Sequence, residues 1–471
     1  MTNRKSTKRA LLGSVMAMVL CLAMLVGATF AWFTDTASTG VNKIQAGKLD
    51  VALEMKDASG NWVSAEGKTL DFVKAADAKG EAILWEPGCT YELPALRIRN
   101  NGNLALKYKV IITGINGSAK LNTVIDWTIG DVAMGAEQHL AAGESNAFTI
   151  KGHMKESAGN EYMNESIDGI AITVAATQDT VENDSFGNTY DEDAEYPIVA
   201  MDTLQELINN ATEPVSAKLE GNIAGSLTVP QGKDVTLDLN GFTLTGGDSH
   251  AILNHGTLCI KDSSGNGKIV ASKANTSALR NAAVCVIDGG TFTRAAGVDN
   301  KWHTVENFGT MTFNGGKVIA EDGQSFAIVN GWNYIDPGEQ KATMTINNIE
   351  MKAGPNGLKN CAGGTLTMNG GTLHCTGYWG LSNDSTGVAT INGGEIISDK
   401  YVAISNGGAK MEINGGTFTG PQGSLYVQNY AQGTVVMGGS YGNETVEFMR
   451  NYCPEGYTAT LKDGMVVVSE N

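Results

Sequence analysis

The chain has 471 residues, room for two or three ordinary domains. Its 33 Lys and Arg against 50 Asp and Glu leave a formal charge of −17, which argues against nucleic acid or an anionic membrane surface as the main partner. With 42% hydrophobic and 18% charged residues it is neither a disordered chain nor a polytopic membrane protein, and its seven scattered cysteines, without a CxxC or a Cys/His cluster, signal neither zinc nor a dense disulfide framework.

Residues 1–10 carry Arg4, Lys5, Lys8 and Arg9 and no acid, followed by the apolar run Leu11 to Gly27 and the small-residue end Ala28-Thr29-Phe30-Ala31. These are the basic, hydrophobic and cleavage regions of a secretory signal peptide over residues 1–31, cut between Ala31 and Trp32. The competing reading is an uncleaved anchor, because such a run nearly spans a bilayer. Cys21 lacks the small residue that a lipobox places before its cysteine. The expected location is extracellular, secreted or attached to the cell surface.

From Gly47 to Gln178 the apolar residues alternate: Leu49, Val51 and Leu53; Leu96 and Ile98; Tyr108 and Val110; Ile170, Ile172 and Val174. Each run has one buried and one wet face, so the all-β expectation here is an antiparallel, jelly-roll-like β-sandwich over residues 32–178. His139 and His153 stand alone in the sequence and read as surface residues; no HExxH is present.

The blocks Ala31-Trp32-Phe33-Thr34-Asp35-Thr36, Ile44 to Val51, Trp85-Glu86-Pro87-Gly88 and Arg97 to Tyr108 resemble the TasA/camelysin family of exported biofilm-matrix proteins. The resemblance runs roughly to residue 190. It implies release by a SipW-type signal peptidase. It also implies that Trp32, Phe33, Thr34 and Asp35 begin a donor strand, which completes the sheet of a neighbouring subunit, either another copy or a TasA-like fibre protein. Some camelysin-type relatives are described as metallopeptidases, for which this segment lacks the motif.

Residues 179–200 read as an acidic, solvated linker with Asp179, Glu182, Asp184, Asp191, Glu192, Asp193 and Glu195. Calcium is the one cofactor they suggest, although their spacing misses the D-x-D-x-D-G loop. No other cofactor or metal site is legible.

Self-similarity dominates residues 201–471. The column Asn240, Lys261, Asp288, Asn314, Asn347, Asn369, Asn392, Asn414 and Gly438 repeats at spacings of 21, 27, 26, 33, 22, 23, 22 and 24. The residues one and three places before it are apolar in every repeat, from Leu239 and Leu237 to Met437 and Val435, while four consecutive repeats carry an outward Thr312, Thr345, Thr367 and Thr390. A second column runs Asn254, Asn281, Asn307, Asn330, Asn360, Asn383, Asn406 and Asn429, as stacked turn asparagines would. A third, from Leu244 through Phe292, Val318, Met351, Leu373 and Ile396 to Phe418, marks the next inward strand. Coils of about 22 residues describe a parallel β-helix, expected right-handed by resemblance to pectate-lyase-like folds; a β-propeller needs blades of about 40 residues. Open end coils need covers, and Met201 to Ala211 forms an amphipathic N-terminal cap while residues 446–468 suit the other end. Cys259 points out and Cys285 in, so they do not pair.

A β-helix lyase or hydrolase needs converging carboxylates. Asp288, Asp299, His303 and Glu306 are the candidates, yet His250, His255, His303 and His374 fall in different columns, so no catalytic site is assigned. The binding candidates are aromatic: Trp302, Tyr378 and Tyr401, each five residues before its coil's asparagine, with Trp379 beside them and Trp332 and Tyr334 in the long coil. They stack on an extracellular glycan or anchor a partner, or else pack against neighbouring turns. The expected function is therefore structural or adhesive, a fibre-forming sandwich displaying a β-helix binding module. The alternative is an extracellular polysaccharide lyase or glycoside hydrolase.

Overall fold

The computed structural model describes residues 48–68, 70, 72–73, 84–113, 116–117, 119–130, 135–165, 167–168, 171–179, 194–298, 301–321, 325–332, 338–428 and 433–471. The signal segment, the donor segment from Trp32 to Ala46, Asp299, Tyr334, Asn429 and most of the acidic linker lie outside the described residues.

The alternating N-terminal runs form antiparallel sheets. Val51–Lys56 pairs with Trp62–Ser64 and Leu96–Asn100, and Ser145–Phe148 completes that sheet. Leu106–Thr113 pairs with Ala171–Gln178 on one side and Gln138–Leu140 on the other, and Ile150–Met154 with Thr90–Glu92 and Ile125–Ile129. Leu96, Ile98, Leu106, Tyr108, Val110 and Ile150 meet in one core drawn from all three sheets, which is what a sandwich requires. The two histidines there have partners: His139 Nδ1 meets Asp179 at 2.8 Å, and His153 Nδ1 meets the Thr90 hydroxyl at 2.8 Å.

The solenoid begins inside the segment assigned to the linker. Tyr196–Ile198 pairs in parallel with Val215–Leu219, so two strands of that sheet precede the first repeat legible in the sequence. Tyr196 is buried, donates its hydroxyl to Glu137 of the sandwich at 2.7 Å, and has the Lys109 ammonium 5.4 Å from its ring centre. The amphipathic helix forms at Met201–Asn209. Its Leu204, Leu207 and Ile208 close the first coil, and Ile111 and Ala175 of the sandwich join the same core. Gln205 covers the bare edge of Leu227–Val229: its carbonyl accepts the Thr228 N–H at 2.8 Å and its amide donates to the Thr228 carbonyl at 2.9 Å.

Beyond the cap, each coil contributes to an 11-stranded, a 12-stranded and a nine-stranded sheet, counted over the described residues. The strand pairings are parallel except in the closing hairpin Tyr457–Lys462 and Met465–Glu470, laid antiparallel on Gly439–Tyr441, and one isolated antiparallel bridge joins Trp332 and Ala362. The helix Val446–Arg450 and this hairpin cover the C-terminal end, with Met449 buried. The Glu444 carboxylate accepts the Ser424 and Leu425 N–H groups at 2.7 and 3.0 Å.

The expected inward column is continuous from Ile260 through Ile287, Phe313, Ile346, Met368 and Ile391 to Ile413. The threonines pair across four rungs. Both ends differ from the sequence register. At the first, Val235 and Leu237 pair with Leu258 and Ile260, two residues earlier than expected, because Asn240 (φ 48°) and Gly241 (φ 81°) belong to the left-handed turn and not to the strand. At the last, Thr434 and Val436 pair with Met411 and Ile413, which turns Val435 and Met437 outward. A slip of one residue exchanges the faces of a strand. Met437 takes the ladder asparagine's place there, its N–H bonded to the Ile413 carbonyl as Asn414 N–H is to that of Ile391.

The second asparagine column is an interior ladder, not a surface turn. Asn254, Asn281, Asn307, Asn330, Asn360, Asn383 and Asn406 are all 0% exposed, and each side-chain amide donates to the next asparagine's Oδ1 at 2.7–2.8 Å. Asn406 ends it by donating to the Thr434 hydroxyl, since its register partner is Val427. A second ladder stands outside, where Asp288, an acceptor only, receives Asn314 and heads the series Asn347, Asn369, Asn392 and Asn414. The second glycine after the outer column is obligatory where φ is positive and rungs touch: a Cβ on Gly371 (φ 88°) would lie 2.5 Å from the Ile349 nitrogen.

Candidate functional site

Where the 12-stranded sheet turns into the nine-stranded one, every coil sends one side chain outward four residues before its buried asparagine. In the early coils these are His250, Ser277 and His303, placed by the register of Ile252, Leu279 and Val305. The later coils continue the column with Phe326, Asn356, Trp379 and Val402. One residue before each asparagine, a parallel outward column holds Arg280, Glu306, Val329, Lys359 and Ser382. The two columns form a continuous strip, charged at one end and aromatic at the other.

At the charged end Glu306 is 2% exposed. Its Oε2 accepts the Ser277 hydroxyl at 2.6 Å, the Trp302 indole N–H at 3.2 Å and an Arg280 N–H at 3.4 Å. His250 Nδ1 lies 3.9 Å from the same oxygen and is engaged as acceptor of the Ser277 backbone N–H at 2.9 Å. His303 Nδ1 meets the Ser325 hydroxyl at 2.9 Å. Burial holds both imidazoles below their ordinary pKa, against the pull of Glu306, so they are neutral at neutral pH. The two histidines thus share one column, contrary to the sequence reading; each stands four residues before its asparagine, a signal available by counting. Their grouping does not bring in Asp288, which heads the outer ladder and takes the Cys259 thiol at 3.5 Å. His374 pairs with Asp399 at 2.8 Å on the 12-stranded face, and His255 is exposed elsewhere. Among the described residues no second carboxylate contacts Glu306, and no three His, Cys, Asp or Glu are placed to hold a metal ion.

The predicted aromatics divide between the two ends. Trp302 touches Glu306 and the His303 ring, and Trp332 packs on Phe308 (5.4 Å), over which the Arg280 guanidinium lies at 4.7 Å. Tyr378, Trp379 and Tyr401 gather at the far end with ring centres 5.7–6.4 Å apart. Phe326, which the sequence reading passed over, stacks on Trp379 at 6.4 Å with planes 9° apart, and Val329 and Cys361 fill in beneath. Lys359 lies 5.2 Å from the Phe326 ring centre and pairs with Asp384 at 3.2 Å. Tyr378 is 56% exposed, so the aromatic end presents a ring to solvent while its neighbours are half-buried. Packing and presentation therefore coexist in one group. The described cysteines are all free; Cys285 is buried, Cys259 half-buried, and burial pushes the Cys361 thiol up to about 12.

No curated protein and no solved structure matches the chain. Residues 6–58 match the family model described as camelysin metallo-endopeptidase, over a segment that contains no histidine and whose described part includes the first strand, Val51–Lys56.

Proposed function

We propose that the chain is an exported cell-surface or biofilm-matrix protein with a structural and adhesive role, in which the sandwich enters a fibre and the solenoid displays a binding face. The observation that carries this reading is the camelysin match over residues 6–58, which falls on the basic, apolar and donor segments read as export and assembly signals. Two features of the fold support it. Among the described residues Ala171–Gln178 is an eight-residue strand on the outside of its sheet, the position at which strand addition works. The solenoid ends, by contrast, are covered by Gln205 and Glu444, which favours assembly through the sandwich.

The SipW-type peptidase and self or TasA-like subunits belong to this proposal as partners, and Trp32 to Ser38 as its working segment. Deleting Trp32 to Ser38 is expected to abolish fibre incorporation in electron micrographs while leaving the thermal transitions of the body unchanged. Unchanged incorporation refutes the reading.

The enzyme alternative, a polysaccharide lyase or hydrolase, would rely on Glu306. Its contacts are all donors within a closed cluster, which suits a structural counter-ion better than a general acid facing a substrate. Release of reducing or unsaturated sugar by the purified chain, abolished by Glu306→Gln, would reverse the choice.

A further inference from the structure

We propose that the aromatic end of the strip binds a neutral glycan and that one sugar hydroxyl bridges Asn356 and Trp379. This deepens the adhesive reading and rests on it. Asn356 and Trp379 are register partners on adjacent rungs, and each has one buried polar atom without a hydrogen bond: the Asn356 Oδ1 acceptor and the Trp379 Nε1–H donor. A buried donor and a buried acceptor left unpaired are costly, and most such groups in folded proteins are satisfied. A hydroxyl is the simplest group that serves both, since it donates one hydrogen bond and accepts others.

The surroundings narrow the chemistry. The charges within the strip are already paired, Lys359 with Asp384 at 3.2 Å and Glu306 with Arg280 at 3.4 Å, and the chain's formal charge of −17 disfavours a polyanion. The ring of Tyr378, 56% exposed, offers the flat apolar face on which the C–H side of a pyranose stacks. Tyr378 and Tyr401 meet edge-on at 6.4 Å, and neither phenolic hydroxyl is held by a hydrogen bond among the described residues. The two orphan atoms have no exposed surface as the rings stand, so the proposal requires a ring of this group to move when the sugar binds.

The test is calorimetric titration of the full chain with a soluble neutral β-glucan and, separately, with polygalacturonate. The glucan is expected to bind and the polyanion not. Trp379→Phe, which keeps a ring and removes the N–H, and Asn356→Ala are each expected to weaken glucan binding about tenfold, the scale of one buried hydrogen bond. Because one hydroxyl serves both groups, the double variant is expected to lose little more than either single one. Tyr378→Ala removes the exposed ring, which lies 5.7 Å from that of Trp379, while keeping both polar groups of the pair, and should weaken binding even if a Trp379 variant misfolds.

Equal glucan affinity in wild type, Trp379→Phe and Asn356→Ala overturns the proposal, as does binding of polygalacturonate alone, of a protein partner alone, or of no polysaccharide. Fibre incorporation is scored on the same preparations. Incorporation without glucan binding overturns this inference only, and glucan binding without incorporation overturns the matrix reading only.

Discussion

Replacing Asn360 by Ala should separate hydrogen bonding inside the solenoid from hydrogen bonding on its surface. Asn360 is 0% exposed; its amide donates to Asn383 Oδ1 at 2.8 Å and to the Val388 carbonyl at 2.9 Å, and its Oδ1 receives Asn330 at 2.7 Å. Alanine leaves Asn383 Oδ1, the Val388 carbonyl and, at 3.2 Å, the Gly364 carbonyl without that donor, while Asn330 keeps the Thr365 carbonyl at 3.0 Å. The two closer acceptors, at about 1–3 kcal/mol each, give a loss of about 4 kcal/mol. At about 2.1 cal/mol/K for each solenoid residue, that lowers the melting temperature by about 7 °C. Asn369→Ala in the outer ladder breaks two bonds of the same length, at 2.8 Å to Asn347 and from Asn392, but water replaces them, so under about 1 kcal/mol is expected. Scanning calorimetry of the full chain reads both. Equal shifts for the two variants would refute the premise that burial, not ladder geometry, sets the contribution. Asn360→Asp adds a sign test. A carboxyl buried there has a raised folded pKa, so its destabilisation grows as pH rises above about 3.9 and is relieved by acid.

Gly371→Ala should destabilise by about 2 kcal/mol or more, since φ is 88° and the Ile349 backbone is 2.5 Å from the new Cβ, whereas Gly297→Ala, with open space around it, should lose only about 1 kcal/mol in urea titrations. His250 and His303 have folded pKa values below the ordinary 6.5, so the unfolded chain binds more protons and stability should fall as pH drops below about 6.5. His303→Gln should flatten that slope in melting temperatures, Glu306, Arg280, Arg294 and Lys359 being the charges that face the two rings. Glu444→Ala strands the Ser424 and Leu425 N–H groups at the end coil and should produce concentration-dependent association in sedimentation velocity; a monodisperse variant would show that the hairpin alone protects that end.

The fold was legible because the solenoid writes its geometry into the sequence at a fixed offset: once Ile287, Phe313 and Ile346 are aligned, each later inward residue follows by counting. The register failed at the ends, where the coils must also make caps. Asn240 bends into a turn, and matching Met437 to an isoleucine ignored that Gly438-Gly439 repeats Gly415-Gly416. The burial of the asparagine ladder was hidden for a different reason. Asparagine at a regular spacing suits an exposed turn as well as an interior corner, and only the closed hydrogen-bond circuit distinguishes them.

The binding strip was half legible. Exposed aromatics announce themselves by type, and Tyr378, Trp379 and Tyr401 do meet. What composition conceals is that Ser277, Arg280 and Trp302 lie 4 to 29 residues from Glu306 in sequence yet meet one of its oxygens. Such a group is found only by reading the columns one and four residues before each asparagine as outward-facing, and then asking which neighbouring rungs carry complementary groups. By that procedure Asn356 stands between Phe326 and Trp379 in the register, a half-buried polar residue where an apolar one would pack without an orphaned acceptor. A side chain placed against packing preference on a strip whose charges are already paired is better explained by a hydroxyl that meets it than by the stability of the coil it sits in.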